Sequence, residues 1–196
     1  MADITWPTDL RAARFSMRLA QDQRVYGSAV GGVQQAVDML RDCWFISLEV
    51  PVRKHVDARA LEAFIRSFRG ATRTVGLWHM GKPNLLGTLS GSRALAADAA
   101  QGAASISVTA GAGQTLKAGD MLGLDGLVVE VSADAAESGG TITATLTNRL
   151  RRAVASGEAI TLASPLVECR LISMPEVLWR PGLVDTVAMD FMEVIS

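Results

Sequence analysis

The chain has 196 residues, 49% hydrophobic and 20% charged, with a formal net charge of −1. That apolar content excludes disorder along the whole length, and the balanced charge excludes a polycation built to track nucleic acid. No run of about 18 apolar residues is present to cross a membrane as a helix. Two cysteines, Cys43 and Cys169, are too few for a disulfide framework or an unaided zinc site.

Residues 1–7, Met-Ala-Asp-Ile-Thr-Trp-Pro, have no basic segment followed by an apolar one, so no secretory leader is expected. Arg14 to Leu19 alternates polar and apolar residues, the period of a half-buried strand. Gln21 to Gly32 is polar and glycine-bearing and reads as a turn near Gly27 with a flexible Gly31-Gly32 step. Cys43 to Val50 puts Trp44, Ile46, Leu48 and Val50 on one face, and Pro51 ends the run; this is the clearest strand.

A helix is expected over about 57–69. Asp57 suits an N-cap, and Val56 and Leu61 have the spacing of a hydrophobic staple. Leu61, Phe64, Ile65 and Phe68 form its apolar stripe, Arg59, Glu62, Arg66 and Arg69 its wet side, and Gly70 its C-terminal cap. Such a helix needs a sheet to lie on. Val75 to His79 begins another strand.

From about Gly87 the composition turns to Gly, Ala, Ser and Thr. Ser105–Thr109, Met121–Leu124, Leu127–Val131, Thr141–Leu146 and Ala159–Leu162 read as short strands, with Asp125-Gly126 as a two-residue hairpin turn. Arg93–Ala104 reads as a linker or a short helix. Val167–Ile172 and Val184–Ile195 read as strands that pair back onto the first sheet, the second covered on both faces.

Eight of the ten aromatic residues precede residue 80 and two follow residue 178, so the hundred residues between Trp78 and Trp179 contain none. Aromatics supply much of a core's buried area. The expected architecture is therefore mainly β with one helix. A discontinuous β-sandwich or barrel (1–87 plus 165–196) is interrupted by a small barrel-like β insert (88–164). The two cysteines are expected as buried thiols on strands, with a Cys43–Cys169 bridge as the alternative.

Candidate chemistry is sparse. His55 and His79 have no nucleophile elbow of the Gly-x-Ser-x-Gly type beside them. Asp120, Asp125, Glu130 and Asp134 could line a calcium or glycosidase site, but turn and solvent positions explain each, and no Asp-x-Asp-x-Asp-Gly loop exists. Gly111-Ala112-Gly113 and Gly139-Gly140 lack dinucleotide spacing and the phosphate-loop lysine. Arg149, Arg151 and Arg152 form a small basic cluster, read either as a solvated face or as a contact with an acidic partner or phosphate. Trp44 and Trp78 are expected in the core. Trp6 and Trp179, each beside a proline region (Pro7, Pro181), are expected to make contacts against the core or a neighbouring subunit. No catalytic, cofactor or metal residue is assigned, and the candidate interface residues are Trp6, Trp179, Arg149, Arg151 and Arg152.

The order of these features resembles a known family. A Trp6-Pro7 entry leads to an alternating strand, then to Gly31-Gly32-Val33-Gln34 preceded by Tyr26-Gly27-Ser28. A strand centred on Trp44 ends at Pro51, a helix finishes Phe64-Ile65-Arg66-Ser67-Phe68-Arg69-Gly70, and a strand carries Trp78. This order resembles the tube-proximal domain of distal tail proteins of tailed bacteriophages and related gene-transfer particles. The family's proline-rich step after the Trp strand is reduced here to Val50-Pro51-Val52. Ala104–Val108, Leu116–Asp120, Val128–Val131 and Gly157–Leu162 resemble a β-rich insert of phage structural proteins, and Val187–Val194 the family's last strand.

The resemblance implies a non-enzymatic virion component at the tail tip, assembled in the cytoplasm of the bacterial host. It would form a homo-oligomeric ring, a hexamer, between the tail tube protein and the hub or baseplate protein. The insert would point outward toward tail fibres or the host surface, with no cofactor, no membrane and no sequence-specific nucleic acid. A capsid decoration or head-completion protein is the structural alternative, and a carbohydrate-binding module of the tail tip the alternative of another class.

Overall fold

A computed structural model of the protein describes residues 2–27, 31–32, 34–52, 55–180 and 183–195. The chain is mainly β with one helix. In chain order it forms β1 (Ile4–Thr5), β2 (Arg14–Ala20), β3 (Gln23–Gly27), β4 (Gln34–Asp38), β5 (Cys43–Val50), α1 (His55–Ser67) and β6 (Thr74–Leu77). Then come β7 (Arg93–Ala94), β8 (Ser105–Thr109), β9 (Thr115–Leu116), β10 (Met121–Leu124), β11 (Leu127–Glu130), β12 (Ala135–Ala136), β13 (Thr141–Thr145) and β14 (Ala159–Thr161). The last are β15 (Val167–Leu171), β16 (Trp179–Arg180), β17 (Leu183–Val184) and β18 (Val187–Glu193). Two compact units result: residues 1–18, 44–81 and 166–196, and residues 19–43 and 82–165.

The first unit is built on a six-stranded sheet of order β1-β6-β15-β18-β5-β2. β15 and β18, the late strands, pair with β6 and β5 from the first half of the chain, as the discontinuous reading expects. Alternation along β5 buries Trp44, Ile46, Leu48 and Val50. The α1 stripe of Leu61, Phe64, Ile65 and Phe68 is buried too. The rings form one cluster: Trp6–Phe64 at 5.3 Å, Phe64–Phe68 at 5.0 Å and Phe68–Phe191 at 5.9 Å between centroids. Each such pair adds about 0.5–1.5 kcal/mol beyond the area it buries.

Three expectations change here. α1 begins at His55, so Asp57 lies inside its first turn, where its charge favours the helix N-terminus. Val56 is 75% exposed, so no staple to Leu61 forms. β18 buries alternate residues only, and Ala188, Asp190 and Met192 face solvent. Gly70 is left-handed as read, with φ +75°, but α1 ends at Ser67 and Arg69, at φ +48°, is the first left-handed residue after it. Neither cysteine is in a disulfide, and both are buried.

The second unit has an aliphatic core. Leu95, Val108, Leu116, Leu122, Leu124, Ile142 and Leu150 are each at most 2% exposed. Short antiparallel strands surround it: a β11-β10-β14-β7 sheet and the pairs β13-β8 and β12-β9. The Asp125-Gly126 hairpin forms as read, with both residues at positive φ (44° and 75°) and Leu124 paired with Leu127. Residues 93–104 carry β7 and turns rather than a helix.

The unit boundaries differ from the expected 88–164 insert. Residues 82–87 belong to this unit because Asp120, 3% exposed, takes the N–H groups of Leu86 (2.6 Å) and Gly87 (3.1 Å) on its carboxylate. A Cβ at Gly87 would stand 2.3 Å from the Thr115 carbonyl oxygen, so only glycine lets the backbones approach this closely. Residues 19–43 also belong to this unit, held by the contacts described next.

Candidate functional site

The residues expected to carry chemistry are mostly occupied by structural partners. The Asp120 carboxylate also accepts from the Lys117 N–H at 2.8 Å, which completes a buried staple rather than a reactive acid. Asp125 pairs with Arg152 at 2.8 Å, Glu130 with Lys82 at 3.0 Å and Asp134 with Lys117 at 2.6 Å. The Lys117 ammonium and the Ala118 N–H hold the Asp134 carboxyl below the usual carboxylate range. The Gly140 and Gly113 N–H groups do the same for Glu137. Burial, with Glu193 and Glu168 nearby, pushes the Cys169 thiol far above its ordinary value and suppresses the nucleophilic thiolate. His79 lies edge-on to Phe15 at 5.1 Å, and the side chain of His55 lies outside the described residues. Among the described residues, no group of three or more His, Cys, Asp or Glu is placed to hold a metal ion.

The candidate interface residues separate sharply. Trp6 is a core residue, 4% exposed, and its indole N–H donates to the Leu10 carbonyl at 2.9 Å; of the two contacts expected of it, core or neighbouring subunit, it makes the first, and it drops out of the candidate interface. Trp179 is 42% exposed on β16, in a stretch that also exposes Ile172, Met174 and Leu178. The three arginines turn toward their own unit. Arg149 meets Asp38 at 3.3 Å, Arg151 donates to the Asp42 carbonyl at 2.7 Å, and Arg152 pairs with Asp125.

Those arginine contacts lead to the most unusual surface of the protein. β3 and β4 form a two-stranded antiparallel ribbon pairing Gln23 with Asp38 through to Gly27 with Gln34. No third strand joins it among the described residues. Opposed residues share a face, so Val25 and Ala36 lie on one side of this arm and Arg24, Tyr26, Gln35 and Val37 on the other. Val25 is 62% exposed, Tyr26 56% and Val37 37%. Water therefore meets apolar side chains on both faces and backbone on both edges. An isolated two-stranded hairpin is marginally stable at best.

No protein-family model matches the chain, and no curated protein matches it. The base of the arm closes with the Met39 N–H donating to the Asp22 carbonyl at 2.9 Å, while the Leu40 N–H donates to the Asp38 carboxylate at 2.9 Å. Asp42 is 7% exposed, and its Oδ1 makes no hydrogen bond among the described residues. Burial first, and Asp38 second, raise its carboxyl above the usual value.

The sequence reading has no counterpart for this arm. Gln23-Arg24-Val25-Tyr26-Gly27 and Gln34-Gln35-Ala36-Val37-Asp38 bury no face, so the apolar period that marks a strand is weak. The usable signal is the pairing of two short runs across a glycine-bearing turn. In the first unit an open groove of about 560 Å³ crosses β2, β5 and β18, over Ser16, Ser47 and Ala188 between Arg14, Glu49 and Asp190. Its lining, which also takes in Phe15 and Leu48, holds no histidine or cysteine.

Proposed function

We propose that the chain is a structural subunit of a phage-type tail, forming a ring that joins the tail tube to the hub or baseplate. The observation that carries the self-assembly half of this reading is the β3–β4 arm, with Val25, Tyr26 and Val37 exposed on a ribbon too thin to support itself. Open strand edges pair readily with other chains. When the β3 edge of one copy meets the β4 edge of the next, the contact is head-to-tail, and a rotation that closes leaves no edge unpaired. The tail half of the reading rests on the order of motifs from Trp6-Pro7 to the closing strand.

A firm sheet-and-helix unit with an aromatic cluster suits a ring body, and the carboxylates already held in ion pairs suit a protein with no reaction to perform. The first experiment is negative-stain electron microscopy of the purified chain across a concentration series. Closed rings of one size, six copies in the simplest form, are the expected particles. Particles of single-subunit size at every concentration would remove the reading.

A further inference from the structure

What holds the arm in a single free copy is a separate question, and its base gives the answer. The arm is exposed on both faces, so it draws little support from apolar packing. Its described attachments to the rest of its unit gather in two places. Asp38 receives Arg149, and the Asp42 carbonyl receives Arg151, both arginines lying in the turn that follows β13. Between those points the chain passes through Leu40 at φ +53°, a left-handed conformation that a leucine rarely adopts. The Asp38 carboxylate serves both sides of that strained residue: one oxygen accepts the Leu40 N–H and the other meets Arg149. The Leu40 side chain also reaches the Gly102 turn; a Cβ added there would stand 3.6 Å from Leu40 Cδ1. Strain of this kind persists only where neighbours over-determine it, and it gathers at hinges and switches.

We propose that residues 38–42 and the 149–151 turn form a latch that fixes the arm in one posture in the free subunit. Release of the latch frees the arm as a hinged unit while the aliphatic core stays closed. Asp42 makes the latch two-sided. Its buried carboxylate, with Asp38 near it and one oxygen without a hydrogen bond, works against closure, while the Asp22 backbone N–H on that carboxylate and the Arg151 contact with the Asp42 carbonyl work for it. A closed state held against such an internal cost is suited to opening when a partner supplies new contacts. The link to assembly rests on the ring reading; the latch itself does not.

The test is hydrogen exchange on the full-length chain, diluted until light scattering reports a single copy. Asp38→Ala and Arg151→Ala should each speed exchange in β3 and β4 by roughly 2- to 10-fold, the effect of losing one hydrogen bond of ordinary net strength. Exchange in β8 and β13 should not change. Asp38→Asn should do less than Asp38→Ala, since its amide oxygen can still accept the Leu40 N–H. Adding Arg149→Ala to Asp38→Asn should change nothing more, because both remove the same pair. Arm exchange equal to that of the unmodified chain in both alanine variants would overturn the latch. So would a parallel rise in β8 and β13, which would make these residues general supports of the fold. Because the readout is taken on single copies, absence of rings leaves it unaffected.

Discussion

The two compact units solve the same problem, burying enough surface to hold a β-rich fold, with different side chains. The unit of residues 1–18, 44–81 and 166–196 contains nine of the ten aromatic residues, and five ring contacts tie Trp6, Phe64, Phe68 and Phe191 to one another and Phe15 to His79. The unit of residues 19–43 and 82–165 contains only Tyr26, and that ring is on the exposed arm. Its core is made of Leu, Val, Ile and Ala, yet its side chains are as deeply buried as those of the other. Short strands leave little space between layers, and branched aliphatic side chains fill it without polar atoms to satisfy. The aromatic gap in the sequence thus marks a change of packing material, with no loss of packing.

The comparison can be broken at either core. Phe68→Ala should cost about 3–5 kcal/mol, the usual range for emptying a buried aromatic site. Chemical denaturation followed by tryptophan fluorescence reads it directly, because all four tryptophans lie in that unit. Leu124→Ala, in the aliphatic core, should cost about 2–5 kcal/mol. That loss should appear in far-ultraviolet circular dichroism and in hydrogen exchange of β10, with little change in tryptophan emission. A shift of both signals together would mean that the units unfold as one.

A smaller effect is expected at the staple that extends the second unit to residue 82. Asp120→Ala strands the N–H groups of Leu86, Gly87 and Lys117 and should cost about 1–3 kcal/mol. The smallest concerns Asp42. Its carboxyl is raised, so the folded state penalises the charged form. That penalty is fully present above the raised value, is relieved as pH falls through it, and is absent below the unfolded value. Asp42→Asn should therefore raise stability at pH 7 and flatten its change on acidification. Urea titrations at neutral and acid pH check this, and a variant less stable at pH 7 would contradict it.

Legibility followed burial. Cys43–Val50 and the Asp125-Gly126 turn were readable because a one-sided strand alternates and a type I′ turn demands particular residues. The pairing of β15 and β18 with β6 and β5 was readable from the aromatic gap. The arm was not, since a ribbon with no buried face leaves no periodic signature. Arg149 and Arg151 looked like a solvated cluster because their partners, Asp38 and the Asp42 carbonyl, lie more than a hundred residues away in sequence. Core or neighbouring subunit stayed open for Trp6 because nothing local shows that its indole N–H finds the Leu10 carbonyl inside a core.

The central claim is that the exposed arm is an assembly element. Size-exclusion chromatography with light scattering on the unmodified chain and on a Val25→Asp, Tyr26→Asp double variant tests it most directly. Both positions are exposed, so the variant should fold and keep its tryptophan emission. The account predicts a defined oligomer for the unmodified chain, a multiple of 20.8 kDa, and single copies for the variant. An oligomer of the same mass in the variant, or single copies in both, would contradict it.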